Sequence, residues 1–238
     1  MPLNINGNVI DSGDITSNGV FRNKIITDGL LFYVDAADID SYGGSGVTWT
    51  DMSGNNRNFT LNSTGFNSGN GGSITSSANG HISIGSMPLT GGFTLEIWAF
   101  MSSTSSFGLF GQGVFDINLG LHILYQDGSR GMIFGMYGND NDYQNNYRPS
   151  ANTWHHWVFT YHGTTYRKQF FANTIKQTAP SSTETIYNGT GQFNIGAIYS
   201  SPASLFNGRI GIVRGYNRVL ERKEIVQNFQ SERGRYGV

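Results

Sequence analysis

The stretch Phe93-Thr94-Leu95-Glu96-Ile97-Trp98-Ala99-Phe100 decides the fold. Phe93, Leu95, Ile97 and Ala99 fall on one face and Thr94, Glu96, Trp98 and Phe100 on the other, the period of two that belongs to a strand. Aromatics stand on both faces, so this strand is expected to be covered on both sides or to face a groove. Working outward, similar short apolar runs occur at 81–84, 114–119, 121–125, 132–137, 157–161, 169–172, 193–195 and 210–216, punctuated by Gly, Asn, Asp and Ser. Many short strands joined by tight turns predict an all-β fold of two antiparallel sheets stacked face to face, a jelly-roll sandwich.

Composition agrees with that prediction. Gly accounts for 33 of 238 residues and charged residues for 13%, about half the usual share. Such a chain resists helix, since each Gly in a helix interior costs on the order of 1 kcal/mol relative to Ala. The exception is 221–231, where Ile225, Val226 and Phe229 follow Leu220 at helical spacing while Arg222, Lys223 and Gln227 point outward, so a short amphipathic helix is expected to cap the domain. One large domain is expected over 29–238. Residues 1–28 are rich in Asn, Gly, Ser and Thr with isolated apolar residues, and read as an extended arm. Val20, Phe21, Ile25 and Ile26 are its candidate anchors to a partner subunit or to an oligomer.

Net charge is -1, and the 15 Lys and Arg are scattered, which excludes the basic footprint of a nucleic-acid binder. No apolar run approaches the ~20 residues that span a bilayer, and Met1-Pro2-Leu3-Asn4 lacks the pattern of a signal peptide, so synthesis in the cytosol without membrane insertion is expected. With no Cys there is neither disulfide nor thiolate chemistry.

Five phrases occur in a set order. They are Gly29-Leu30-Leu31-Phe32-Tyr33-Val34-Asp35-Ala36, Ser45-Gly46-Val47-Thr48-Trp49-Thr50-Asp51-Met52-Ser53-Gly54-Asn55, the strand at Phe93, Trp154-His155-His156-Trp157-Val158-Phe159-Thr160-Tyr161, and Phe206-Asn207-Gly208-Arg209-Ile210 running into Val213-Arg214-Gly215-Tyr216-Asn217-Arg218-Val219-Leu220. This order resembles the laminin-G-like jelly roll of the concanavalin A-like lectin and glucanase superfamily, in the variant found in virion structural proteins of tailed, cyanophage-like bacteriophages. The resemblance implies a lectin-like sandwich with Trp157 in its core and acids capping a turn near Asp35. It also implies display at a virion surface, as a capsid decoration, neck or tail-fibre component. Two departures stand out: Gly211-Ile212 where many relatives carry Asp-Glu, and Asn173-Thr174 where the Asn-Gly hairpin is common.

Candidate chemistry is sparse. Glycoside hydrolysis needs two carboxylates flanking one bond, and the superfamily's glucanases set them on one strand as Glu-x-Asp-x-x-Glu. Here only Glu96 remains, so it reads as a hydrogen-bonded structural group, and glycoside hydrolase activity is the less favoured alternative. His81, His122, His155, His156 and His162 make no zinc spacing, and adjacent His155 and His156 face opposite ways. No catalytic residue is therefore assigned. Calcium is the one cofactor considered, with Asp35, Asp38, Asp40, Asp140 and Asp142 as candidate oxygen ligands, although neither segment matches the twelve-residue calcium loop.

The candidate ligand-binding residues are Asn139, Asp140, Asn141, Asp142, Tyr143 and Tyr147, since amides and carboxylates read sugar hydroxyls and tyrosine rings offer flat apolar faces. Three Asn-x-Ser/Thr sequons, at Asn58, Asn62 and Asn188, are expected to carry no glycan in the absence of a secretory signal. The expected function is a non-enzymatic virion structural protein contacting other virion proteins, with a carbohydrate-binding adhesion module for host glycans as the alternative. Exposed sheet edges favour a homo-oligomer such as a trimer.

Overall fold

The computed structural model describes residues 3–5, 8–10, 24–77, 79–128, 130–137, 143–145, 147–177, 186–199 and 204–238. Near the start, β1 (Leu3–Ile5) and β2 (Asn8–Ile10) form an antiparallel pair. The body is two antiparallel sheets. One runs in the order β13 (Tyr143–Asn145), β12 (Gly131–Met136), β11 (Leu121–Gln126), β10 (Phe107–Gln112), β17 (Gln192–Ile195), β8 (His81–Ser86), β5 (Phe59–Asn62) and β4 (Thr48–Trp49). The other runs β16 (Ile175–Gln177), β15 (Lys168–Ala172), β14 (Trp154–Tyr161), β9 (Phe93–Met101), β18 (Gly208–Tyr216), β7 (Ser73–Ser76) and β6 (Gly65–Asn67), with β3 (Leu30–Asp35) pairing the far half of β18. We call these the front and back sheets. The predicted all-β jelly-roll sandwich is what the chain forms.

The alternation in β9 sorts its residues as read from the sequence. Phe93, Leu95, Ile97 and Ala99 point between the sheets, joining Trp157, Phe159, Phe110, Phe134 and Phe193 in one continuous core. Thr94, Glu96 and Trp98 point to the outer side of the back sheet, where helix α1 (Arg222–Tyr236) covers them. Trp98 lies between two α1 rings, stacked on Phe229 at 5.6 Å and on Tyr236 at 4.3 Å, and its indole N–H donates to Glu232 at 2.8 Å. Burying an aromatic ring contributes roughly 2–3 kcal/mol, and the stacking adds to it. The helix is therefore longer than the predicted 221–231. Tyr236 keeps it going, and Gly237 in the left-handed region stops it.

Gly211 belongs to this contact. A Cβ there would fall 2.2 Å from the Tyr236 hydroxyl oxygen, so the ring packs on bare backbone. The Asp51 phrase has an equally local cause: its carboxylate accepts the backbone N–H groups of Tyr33, Ser53 and Arg57, each at 2.9 Å, tying the loop to β3.

Two expectations are corrected. The strand expected at 114–119 is a loop, and the strand lies before it, in β10. Gly113, at φ 88°, passes so close to the Leu119 carbonyl that a Cβ would sit 1.7 Å from its oxygen, and the chain turns instead of extending. Residues 24–28, which the sequence assigns to the arm, are bonded to the domain. Ile26 packs with Val158, Tyr216, Leu220 and Ile225, its N–H donates to Asn228 at 2.8 Å, and its carbonyl accepts from the Tyr216 hydroxyl at 3.1 Å. Gln227 donates to the Lys24 carbonyl, and Arg218 pairs with Asp28. Ile25 is half-buried beside them, whereas Val20 and Phe21 lie outside the described residues.

Candidate functional site

Glu96 is fully buried beneath α1. One carboxylate oxygen meets His156 Nε2 at 2.6 Å and accepts from Arg214 at 3.3 Å, while the other accepts from the Asn228 amide at 2.7 Å. Arg214 also pairs with Glu232. Burial works to raise the Glu96 pKa, but Arg214, the His156 hydrogen bond and charge, and the Asn228 bond outweigh it, holding the carboxyl below its ordinary value. Three hydrogen bonds hold the carboxylate and no solvent reaches it, so Glu96 is the hydrogen-bonded group expected from its isolation in the sequence. His155, on the opposite face, stacks flat on Trp157 at 4.9 Å and gives one ring nitrogen to the Ser150 carbonyl at 2.8 Å.

Asp35 and Asp38 cap the turn after β3, and Asp40 is a donor to that turn. Asp35 accepts the Ala37 N–H at 2.9 Å and pairs with Arg235 at 2.6 Å, and Asp38 accepts the Asp40 N–H at 2.9 Å. Arg235 thus holds the charge a cation would need. Among the described residues no three metal-ligating side chains converge. Asn139, Asp140, Asn141 and Asp142 lie outside the described residues, and Tyr143 enters β13 opposite Phe134. Tyr147 is half-buried and turned inward. Its ring meets Phe170 edge-on at 5.3 Å, and its hydroxyl lies 3.4 Å from His155 Nδ1.

A different cluster stands out on the outer face of the front sheet. In β11 the side chains of Leu121, Ile123 and Tyr125 enter the core, so His122 points outward. Gly108 and Gly111 of β10 lack side chains for a reason: the segment after β17 folds back across them, and a Cβ on Gly111 would lie 2.1 Å from the Tyr199 nitrogen. Tyr199 is thereby laid over the sheet, its hydroxyl 3.1 Å from His122 Nδ1. Phe115, in the 113–120 loop, caps it with ring centroids 4.0 Å apart, and Tyr137 meets Phe115 at 5.6 Å and Tyr199 at 6.2 Å.

Phe115 is 57% exposed, flanked by exposed Val114 and Ile117. The loop that presents them is tied down. The Asn118 N–H donates to the Tyr137 carbonyl at 3.0 Å, the Tyr137 N–H to Gly120 at 2.8 Å, and the Asn188 N–H to Asn118 at 2.9 Å. Water-exposed rings on a fixed loop, above a buried hydrogen-bonding pair, can stack on a flat ligand and orient it. Sequence reading missed this site because Val114, Phe115 and Ile117 looked like strand residues. The signal available was their failure to alternate, with two adjacent apolar residues bracketed by Gly113 and Gly120. Tyr137 immediately precedes the loop the sequence singled out.

Comparison with known proteins bears on the fold. Residues 70–226 match the Laminin_G_3 model, described as concanavalin A-like lectin/glucanases superfamily. No curated protein matches the sequence. Among solved structures, domain 4 of AbnA, a GH43 extracellular arabinanase from Geobacillus stearothermophilus in complex with arabinotriose, is similar with TM-score 0.66 and 15% identity, over 84% of this chain and 98% of that one. Trypanosoma rangeli sialidase in complex with sialic acid gives TM-score 0.67 and 16% identity, over 93% of this chain but 36% of that one. The botulinum neurotoxin serotype D/C VPI 5993 binding domain gives 0.63 and 14%, over 86% and 52%. The chain thus spans nearly all of the arabinanase domain but about half or less of the other two chains. At these identities the likeness is one of fold.

Proposed function

The chain belongs to the Laminin_G_3 family of the concanavalin A-like lectin/glucanases superfamily, and from that premise we propose that it is a non-enzymatic carbohydrate-binding module displayed by a tailed-phage virion. The observation that carries this reading is the Phe115–Tyr137–Tyr199 cluster, in which exposed Phe115 and Tyr137 rest on buried Tyr199, an apolar platform of the kind that the C–H face of a sugar requires. The arabinotriose bound to the arabinanase domain supports a saccharide as ligand for this fold. Enclosure of Glu96 by His156, Arg214 and Asn228 supports a binding role over a hydrolytic one.

The arrangement also suits display. Residues 24–28 dock on α1, outside the back sheet, and the platform lies outside the front sheet, so a partner held through the leader leaves the platform free. The virion setting draws further on the order of the sequence phrases and on the leader's composition. Other virion proteins, or two further copies of this chain in a trimer, are the partners proposed for that leader.

The test is a glycan array probed with the whole chain, followed by titration of the best saccharide against Phe115→Ala. Truncating one stacking ring is expected to weaken binding about tenfold, from the ~1–1.5 kcal/mol that an aromatic contact contributes. A flat array, or a Phe115→Ala protein binding at full strength, removes this reading. Side-chain-resolution imaging of purified particles tests the setting, and absence of the chain from particles overturns that part alone.

A further inference from the structure

We propose that the Phe115 platform selects neutral saccharides and discriminates against acidic ones, an inference that rests on the carbohydrate-binding reading above. The described segments that build the platform and its surroundings, 107–128, 131–137 and 186–199, contain no Lys and no Arg, although the chain has 15 of them. At the platform they do contain Asp116. Asp116 is exposed, between Phe115 and Ile117 on the presenting loop.

The nearest basic residues in sequence, Arg130 and Arg148, belong to the far end of the β11–β12 hairpin, where Arg148 is bonded to the Gly128 carbonyl. The platform adjoins the opposite end, where Leu121 pairs Met136, while Gln126 pairs Gly131 at the turn. Five residues of strand separate those ends by roughly 17 Å, beyond the ~8 Å over which exposed charges act at physiological salt. Arg209, which follows the third stretch, is stacked on Phe100 of the back sheet.

A neutral sugar loses nothing here. Its apolar face stacks on Phe115 between Val114 and Ile117, and its hydroxyls accept from or donate to the polar groups of the presenting loop. A uronate or sialate brings a carboxylate to a loop that carries no Lys or Arg of its own and holds Asp116 beside the ring. Like charges at contact distance in water disfavour binding about fivefold per pair. The guanidinium clamp by which proteins commonly hold carboxylates is missing from all three stretches. The platform therefore takes a neutral hexose or pentose oligomer, with Asp116 as the residue that sets the charge preference.

The experiment uses the whole chain on an array of matched pairs: lactose with 3′-sialyllactose, maltotriose with trigalacturonate, and arabinotriose as a further neutral probe, at low and at physiological salt. Expected is binding to a neutral member with its acidic counterpart at least about fivefold weaker, a gap that narrows as salt rises. Asp116→Asn, which keeps an oxygen for the Ile117 N–H, should close most of the gap with neutral binding unchanged as the control for folding, and Asp116→Lys should reverse it. An acidic member bound as well as or better than its neutral partner overturns the selectivity while leaving carbohydrate binding standing, and so does a gap indifferent to Asp116→Lys. Silence across every saccharide overturns the underlying reading instead.

Discussion

At the residue scale, Glu96 and Thr174 show what a local sequence reading can and cannot weigh. Glu96 stands out as a lone acid among aromatics, and its structural role follows from having no second carboxylate. Its three partners come from β14, β18 and α1, 60, 118 and 132 residues away, beyond the reach of any local pattern. Glu96→Gln removes the charge that Arg214 and His156 are arranged around, and should cost about 3 kcal/mol, read as a lower urea midpoint. Because the folded carboxyl is held below its ordinary pKa, the stability it contributes is present above about pH 4.5 and is lost as pH falls through the folded value. Glu96→Gln should therefore flatten the acid limb of the stability curve. Thr174 was visible from the start as an oddity in a hairpin turn. It sits at φ 71° after Asn173 at φ 45°, and a β-branched residue there is strained. Thr174→Gly should raise stability by ~1 kcal/mol, measured by thermal denaturation, and no gain would mean that the turn relaxes without help.

At the element scale, the helix and the 113–120 loop were read with unequal success. Ile225 and Phe229 at helical spacing announced α1 directly, yet its last turn and its partner segment escaped notice. Tyr236 is held by Trp98 and Trp154, and Ile26 by a pocket built from β14, β18 and α1, so neither has a neighbour in sequence that reports its burial. The consequence is testable by truncation. A chain starting at residue 24 should keep full thermal stability. One starting at residue 29 leaves buried Asn228 without the Ile26 N–H, exposes the cluster around Ile225, and should lose about 2–4 kcal/mol. In the loop, both glycines are needed for close approach: a Cβ on Gly120 would fall 2.4 Å from the Val114 carbonyl oxygen. Gly113→Ala, at φ 88° and against the Leu119 carbonyl, should cost at least about 2 kcal/mol and abolish the proposed saccharide binding together with Phe115 presentation, checked by denaturation and titration side by side.

At the scale of the whole molecule, stability rests on one aromatic core between the sheets and a second layer under α1, with no covalent staple. Burial pushes the Tyr161 phenol up to about 12, and drives Tyr187 and Tyr216 upward as well. A neutral phenol favoured by the fold contributes stability that is intact below the ordinary tyrosine value near 10 and is lost as pH rises toward the folded values. Together with Glu96 this predicts a broad plateau from about pH 5 to 10, with tyrosinate absorbance appearing in one step with alkaline unfolding. Gradual titration of those tyrosines in the folded state would contradict the burial. The sequence by itself determined the architecture: strand period, glycine-rich turns and aromatics on both faces of β9 leave two stacked sheets and a capping helix as the only way to hide the apolar surface. The tertiary structure alone decided which aromatics stay out of the core between the sheets. Phe115, Tyr137 and Tyr199 come from three separate connections, and whether a phenylalanine is core or platform depends on which backbone crosses the bare glycines beneath it. That is a fact of long-range packing, which spacing along the chain does not carry.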